Sequence, residues 1–409
     1  MTATTDTSSS PSATAAKATF ASPFQRLADL LAPIRPGRAP INLTVGEPRH
    51  PVPGFVGPVL QREIEGFGRY PAIRGTDAFR RAVAEWIDRR YGSSGAVDPE
   101  HGVLPLSGSR EGLFFAALEA KRRSKKATDR PAILLPNPFY QAYAAGAVAA
   151  GCEAVMIDAG AETGFLPDLG ALPEDLLERT VALYYASPAN PQGAVASRAG
   201  WRSVIETARA HDFMLFADEC YSEIYRGEAA PEGVLAAAAD LGGGLGRVVT
   251  FNSLSKRSNL PGLRCGFAAG DPDFLRTWVA FRNMAAPQVP GPVQAVAIAA
   301  FGDETHVIEN RRLYDAKFAA AERILGRRFG YATPPGGFFL WLDVAVLGGG
   351  EIVAERLWRE AGVRTVPGAY LCGVGADGHN PGAAHLRVAM VESPALTEEA
   401  LGRIVETLG

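Results

Sequence analysis

The chain has 409 residues, 47% of them hydrophobic, and a formal net charge of −3. That is enough apolar material for two domains, and a charge balance that argues against a nucleic-acid partner. Four widely spaced cysteines without CxxC spacing and six histidines without a ligand cluster suit a reducing cytoplasm and argue against structural metal or disulfides.

Residues 1–22, rich in Ser, Thr and Ala, read as a disordered tail rather than a secretory signal. No later stretch is long and apolar enough to span a bilayer, so no membrane partner is expected. The segment 23–65 is expected to join a smaller domain. Over 66–290, short apolar strands such as AILLP, VALYYA, FMLFAD and RVVTFN alternate with helical patterns such as WRSVIETARAHD. Such alternation implies an α/β large domain with a mostly parallel sheet covered on both faces. KRRSKK at 121–126 reads as a solvated helix end. After Pro290 a polar-faced helical stretch leads to GGFFLWLDV and HLRVAMV, and residues 291–409 are expected to form the smaller α/β domain.

The chemistry-bearing residues follow the same order. In LPLSGSREGLFFAAL a Ser-Gly-Ser turn opens an apolar helix, so Gly108, Ser109 and Arg110 form either an anion site at a helix start or a plain capping turn. Tyr140 in PNPFYQAY offers a ring that stacks on a flat ligand or simply packs in the core. Asn190, in the turn SPANPQG, carries a donor and an acceptor on one short side chain. The apolar run Phe213 to Ala217 ends in Asp218, at the strand end where ligands of α/β sheets gather. A carboxylate there either holds a proton on a pyridine nitrogen or caps the next turn. Tyr221 follows three residues later.

FNSLSKRSNLPGLRCGF places Lys256 among Ser253 and Ser255, with Arg264 beyond. An amine forms an imine only when part of its population is neutral, and neighbouring positive charge with desolvation lowers its pKa. Two serines and a guanidinium suit a phosphate beside it. Arg387, inside the strand-like HLRVAMV, is costly to bury unless it meets an anion.

The ordered series SGSR, PxYxxY, NPQG, DExY, SxSK with its trailing Arg, and HLRVAMV resembles the fold-type I pyridoxal 5'-phosphate (PLP) aminotransferases of the aspartate aminotransferase class, from about Phe24 to Gly409. By that resemblance Lys256 would bond the cofactor and shuttle the proton, Asp218 would pair with the ring nitrogen, and Tyr221 and Asn190 would hold the ring oxygen. Tyr140 would stack on the ring, while Gly108, Ser109, Arg110, Ser253, Ser255 and Arg264 would bind phosphate. Arg387 would take the substrate α-carboxylate and Gly46 would line the pocket. Tyr70 would reach the phosphate of a neighbouring subunit, making a homodimer with shared active sites.

Three stretches, LTVGEPRHPVP, SLSKRSNLPGLRCGFAAGD and VPGAYLCGVGADGHNPGAAHLRVAMV, look like the N-succinyldiaminopimelate aminotransferases of bacterial lysine and cell-wall synthesis. The implied reaction is ping-pong transamination with glutamate and 2-oxoglutarate. Arg49, Arg74 and Arg257 are candidates for the distal carboxylates, or equally surface cations. Other aminotransferases of aspartate, alanine or aromatic type and PLP-dependent β C–S lyases share the lysine. Cys265 and Gln192 depart from the usual pattern without touching the chemistry.

Overall fold

The computed structural model describes residues 22–375 and 378–409, so the expected tail, apart from Ser22, lies outside the described residues. The larger sheet has seven strands in the spatial order Val103–Leu106, Gly266–Gly270, Val248–Ser253, Met214–Asp218, Thr180–Ala186, Ala132–Asn137, Glu153–Asp158. All pair in parallel except Gly266–Gly270, which runs antiparallel to both neighbours.

The strands read as continuous apolar runs because both faces are covered. Leu134, Leu183, Leu215 and Val248 pack with Phe79, Trp86 and Trp201 on one face. Their chain neighbours Ile133, Tyr184, Phe216 and Val249 pack with Leu113, Tyr143 and Trp278 on the other. Successive strand residues thus alternate between two helical layers, as the two-residue period of a strand demands.

The smaller domain is a three-stranded antiparallel sheet, Val366–Pro367, His385–Ala389, Phe339–Asp343. Helices Thr305–Leu325 and Pro394–Leu408 cover it. The N-terminal segment joins through the parallel pairing of Ile41–Asn42 with Val363–Arg364, and through Leu27 and Leu31 packed on Val366 and Tyr370.

The expected boundaries shift by one helix. Gly291–Gly302 buries Val293, Val296, Ala297 and Phe301 in the core of the larger sheet, where Val56 and Val59 also pack. The sequence GPVQAVAIAAFG is apolar all round, and such a helix needs burial on every side. The smaller domain therefore begins with Thr305–Leu325, and the segment 23–65 is divided between both cores.

Candidate active site

One cavity lies at the carboxyl end of the larger sheet, bounded by Asp218, Lys256, Tyr140, Asn190 and Arg387. Sheet register brings its pieces together. Leu106 pairs with Gly266, which pairs with Ser253, so the turn at Gly108, the loop of Arg264 and the SxSK segment leave one edge side by side. Gly108 has φ +82, and a Cβ there would stand 2.1 Å from Arg264 Nη2; only glycine lets that guanidinium come so close. Arg264 Nη1 donates to Pro261 O at 2.9 Å and Nη2 to Ser107 O at 3.3 Å. Ser109 starts the helix Ser109–Arg123, whose free amides face the same place. The Ser253 and Ser255 hydroxyls are 2.9 Å apart.

Lys256 sits on the four-residue helix Leu254–Arg257, capped where the Ser253 side chain accepts from Ser255 N. Its Nζ donates to Gly46 O. Desolvation lowers the amine to about 8, with Arg387 and Arg264 adding to the fall and the charge of Glu47 opposing it. A substantial neutral fraction near neutral pH is what an imine-forming nucleophile needs.

Asp218 ends its strand as expected. Oδ2 accepts from Tyr143 OH at 2.5 Å and Oδ1 from Cys220 N at 3.1 Å, while the carboxylate still borders the cavity. Tyr143 is clamped by stacking on Tyr184, centroids 4.5 Å apart. Tyr221 also lines the cavity, its ring edge-on to Phe338 and Phe339; burial raises its phenol well above the ordinary value, with the charge of Arg387 opposing.

Arg387 is buried in its strand. Nη2 donates to Thr44 O at 2.7 Å, Nη1 lies 3.4 Å from Asn190 Oδ1, and Nε has no partner among the described residues. Its guanidinium lies 4.5 Å from the centroid of Phe339. Burial lowers it to about 10. It borders the cavity with two of its five N–H groups hydrogen-bonded and no paired carboxylate among the described residues.

Other expected residues fall elsewhere. The Arg110 side chain does not fold onto the phosphate turn; Nε donates to Tyr140 OH at 2.6 Å, putting the guanidinium on the cavity wall. Arg257 is fully buried against Trp86 and Phe301 and donates to Glu304 at 2.5 Å and Ala300 O at 2.7 Å. Arg49 pairs with Glu392, and Arg74 with Glu100 at 2.9 Å. None of these three borders the cavity, because carboxylates of the chain itself claim them. Tyr70 is 99% exposed and is likewise absent from this chain's cavity. The sequence reading missed Tyr143 and Cys220, whose only signal is their spacing from Tyr140 and Asp218.

The sequence pattern of aminotransferase class I and II matches residues 38–407. The LL-diaminopimelate aminotransferase of Moorella thermoacetica is 33% identical over 375 residues, 90% of this chain and 91% of that protein. A solved aminotransferase from Neisseria meningitidis superposes with a TM-score of 0.89 at 36% identity, covering 95% of this chain and 98% of that one. A probable N-succinyldiaminopimelate aminotransferase from Thermus thermophilus gives a TM-score of 0.80 at 26% identity, covering 94% and 100%.

Proposed function

The chain belongs to the class I and II aminotransferases, a PLP-dependent family, and from that premise we propose that it transfers the amino group of N-succinyl-LL-2,6-diaminopimelate to 2-oxoglutarate. The residues fit the cofactor: Ser109 at a helix start, the carboxylate of Asp218 at a strand end and the amine of Lys256 line one cavity, with Arg264 packed against Gly108 next to Ser109. When bound, PLP supplies an electron sink at the substrate α-carbon. Asp218 holds the proton on the ring nitrogen, with Tyr143 and the Cys220 amide fixing the carboxylate. Tyr140 would stack on the ring, and Asn190 with Tyr221 would hold the ring oxygen. Gly108, Ser109, Ser253, Ser255 and Arg264 take the phosphate. Lys256 would bond the cofactor and carry the proton at the substrate α-carbon, while Arg387 would grip the α-carboxylate with N–H groups that the fold leaves unpaired. Tyr70 of each subunit serves the site of the other in a homodimer.

The charge of the cavity wall supports the succinylated substrate. Arg110 stands there with its guanidinium open, and among the described residues Asp218 is the only carboxylate on the wall. A free LL-diaminopimelate brings a distal ammonium that this wall leaves unpaired, whereas the succinylated form brings only anions to its far end, and unpaired desolvated charge is what specificity penalises. The relative from Moorella favours a second reading, direct use of LL-diaminopimelate. Measuring kcat/KM for both compounds with 2-oxoglutarate decides between them: a preference for LL-diaminopimelate, or activity on neither, removes the succinylated assignment.

A further inference from the structure

A polar column runs through the interior between the two sheets, outside the cavity. Asn310 Nδ2 lies 3.3 Å from Lys256 O and 3.5 Å from Arg257 O. These are the final carbonyls of the four-residue helix that carries the reacting amine, and carbonyls at a helix end have no intrahelical partner. With its amide nitrogen committed to carbonyls, Asn310 turns Oδ1 to His50 Nδ1, 2.6 Å away, so that ring nitrogen must carry the proton. His50 Nε2 is then the acceptor for Lys317 Nζ at 2.7 Å, and Lys317 also donates to Met390 O at 3.0 Å. Every bond points one way, from Lys317 through His50 and Asn310 to the main chain at Lys256, and aligned bonds polarise one another.

The column links three segments that border the site. His50 closes the segment that begins at Gly46, Lys256 Nζ donates to the carbonyl of that same Gly46, and Met390 lies three residues beyond Arg387. His50, Asn310 and Lys317 are all buried. Tyr314 flanks them, 4.5 Å from the His50 ring and 4.9 Å from Lys317 Nζ; Glu392 acts on Lys317, and Glu309 on His50. Placing a lysine here is expensive: burial lowers its amine to about 7.

We propose that Lys317, His50 and Asn310 are positioning residues for the transamination, a single polar column that holds the main chain of Lys256 in register with the loop of Gly46. The inference rests on Lys256 being the reacting amine. Its test uses the difference between a positioning and a merely structural role. Removing the amine leaves two buried acceptors, His50 Nε2 and Met390 O, without their donor, so Lys317→Met lowers the urea midpoint of unfolding but leaves the protein folded in buffer. It nevertheless lowers kcat about tenfold with KM within about twofold, as a small displacement of a reacting group does. It also moves the pH midpoint of the visible absorbance of the cofactor-loaded protein without substrate, which reports the environment of the Lys256 nitrogen. Asn310→Ala cuts the column at the other end and moves kcat and absorbance midpoint in the same direction. An unchanged kcat and absorbance midpoint in Lys317→Met overturns the proposal, as does a loss of activity that only follows loss of folded protein. Retained turnover in Lys256→Ala is a separate failure, that of the active-site reading.

Discussion

Two buried guanidinium groups sit on opposite sides of Lys256 and carry opposite lessons. Arg257, the next residue in the chain, faces the helices: its side chain is 0% exposed and it is neutralised by Glu304, 46% exposed, and by Ala300 O. Arg387, on a strand of the smaller sheet, is buried as well and, like Arg257, has an unpaired Nε, yet it meets only the oxygens of Thr44 and Asn190 and no carboxylate among the described residues. Burying a charge is costly unless it is paired. Arg257 has repaid much of that cost through Glu304, whereas Arg387 has no carboxylate partner among the described residues, which supports the role proposed for it in holding a substrate carboxylate.

The sharpest way to break this contrast is to remove each cation in turn. Arg387→Gln is expected to cost about 2–5 kcal/mol of transition-state binding, the range for truncating a desolvated charge pair. That lowers kcat/KM roughly thirtyfold to several thousandfold for glutamate and the second substrate alike. A loss under fivefold would mean that Arg387 is as structural as Arg257.

The second effect is one of pH. Arg387 helps depress the Lys256 amine to about 8, and Arg257 is not among the groups that shift it. The amine is neutral above its pKa and protonated below, so PLP capture by the cofactor-free protein should rise about tenfold per pH unit from 6 and level off above about 8. Stopped-flow absorbance gives the profile. Arg387→Gln moves the plateau to higher pH and Arg257→Met leaves it in place; a profile still climbing at pH 9.5 in the parent protein would contradict the lowered amine.

How far the sequence reveals this division depends on whether a residue's partner is near in the chain. Asp218 is legible because an apolar run ends on it and strand ends gather ligands. Gly108 and Lys256 are legible from their turn and helix-start settings. Arg257 is misleading because adjacent helical positions point about 100° apart, so being next to Lys256 places it on a different face, toward Glu304. Asn310, Tyr314 and Lys317 fall on one helical stripe at i, i+4 and i+7, and two strongly polar residues on the stripe shared with Val307 and Ala321 were the available signal. Their partner His50 is 260 residues from Asn310, a distance that local pattern does not bridge. The seam between domains was misplaced for a related reason, since the apolar helix Gly291–Gly302 carries no mark of which core receives it.

Arg110 tests the contrast from the other end of the cavity, as an exposed cation that borders the site. Arg110→Ala should lower kcat/KM about fivefold on the succinylated substrate and leave it nearly unchanged on alanine as amino donor, since a partly solvated pair contributes about 1 kcal/mol. Equal losses on both would return Arg110 to the phosphate and remove the argument from wall charge.

Arg49 gives the smallest expected effect and the finest test. Its pair with Glu392 is solvated on the arginine side, with side-chain exposures of 42% and 11%, and exposed pairs contribute about 0–1 kcal/mol. Arg49→Ala should therefore change kcat/KM by less than about fivefold, and equally for the succinylated substrate and for glutamate. Any small common loss would arise through Glu392, which acts on Lys317 at the end of the buried column and is freed when Arg49 goes. A steady-state comparison of the two substrates reads this directly. A tenfold loss confined to the succinylated substrate would place Arg49 beside Arg387 among the cations kept for a ligand, and would show that pairing within one chain does not by itself separate structural arginines from functional ones.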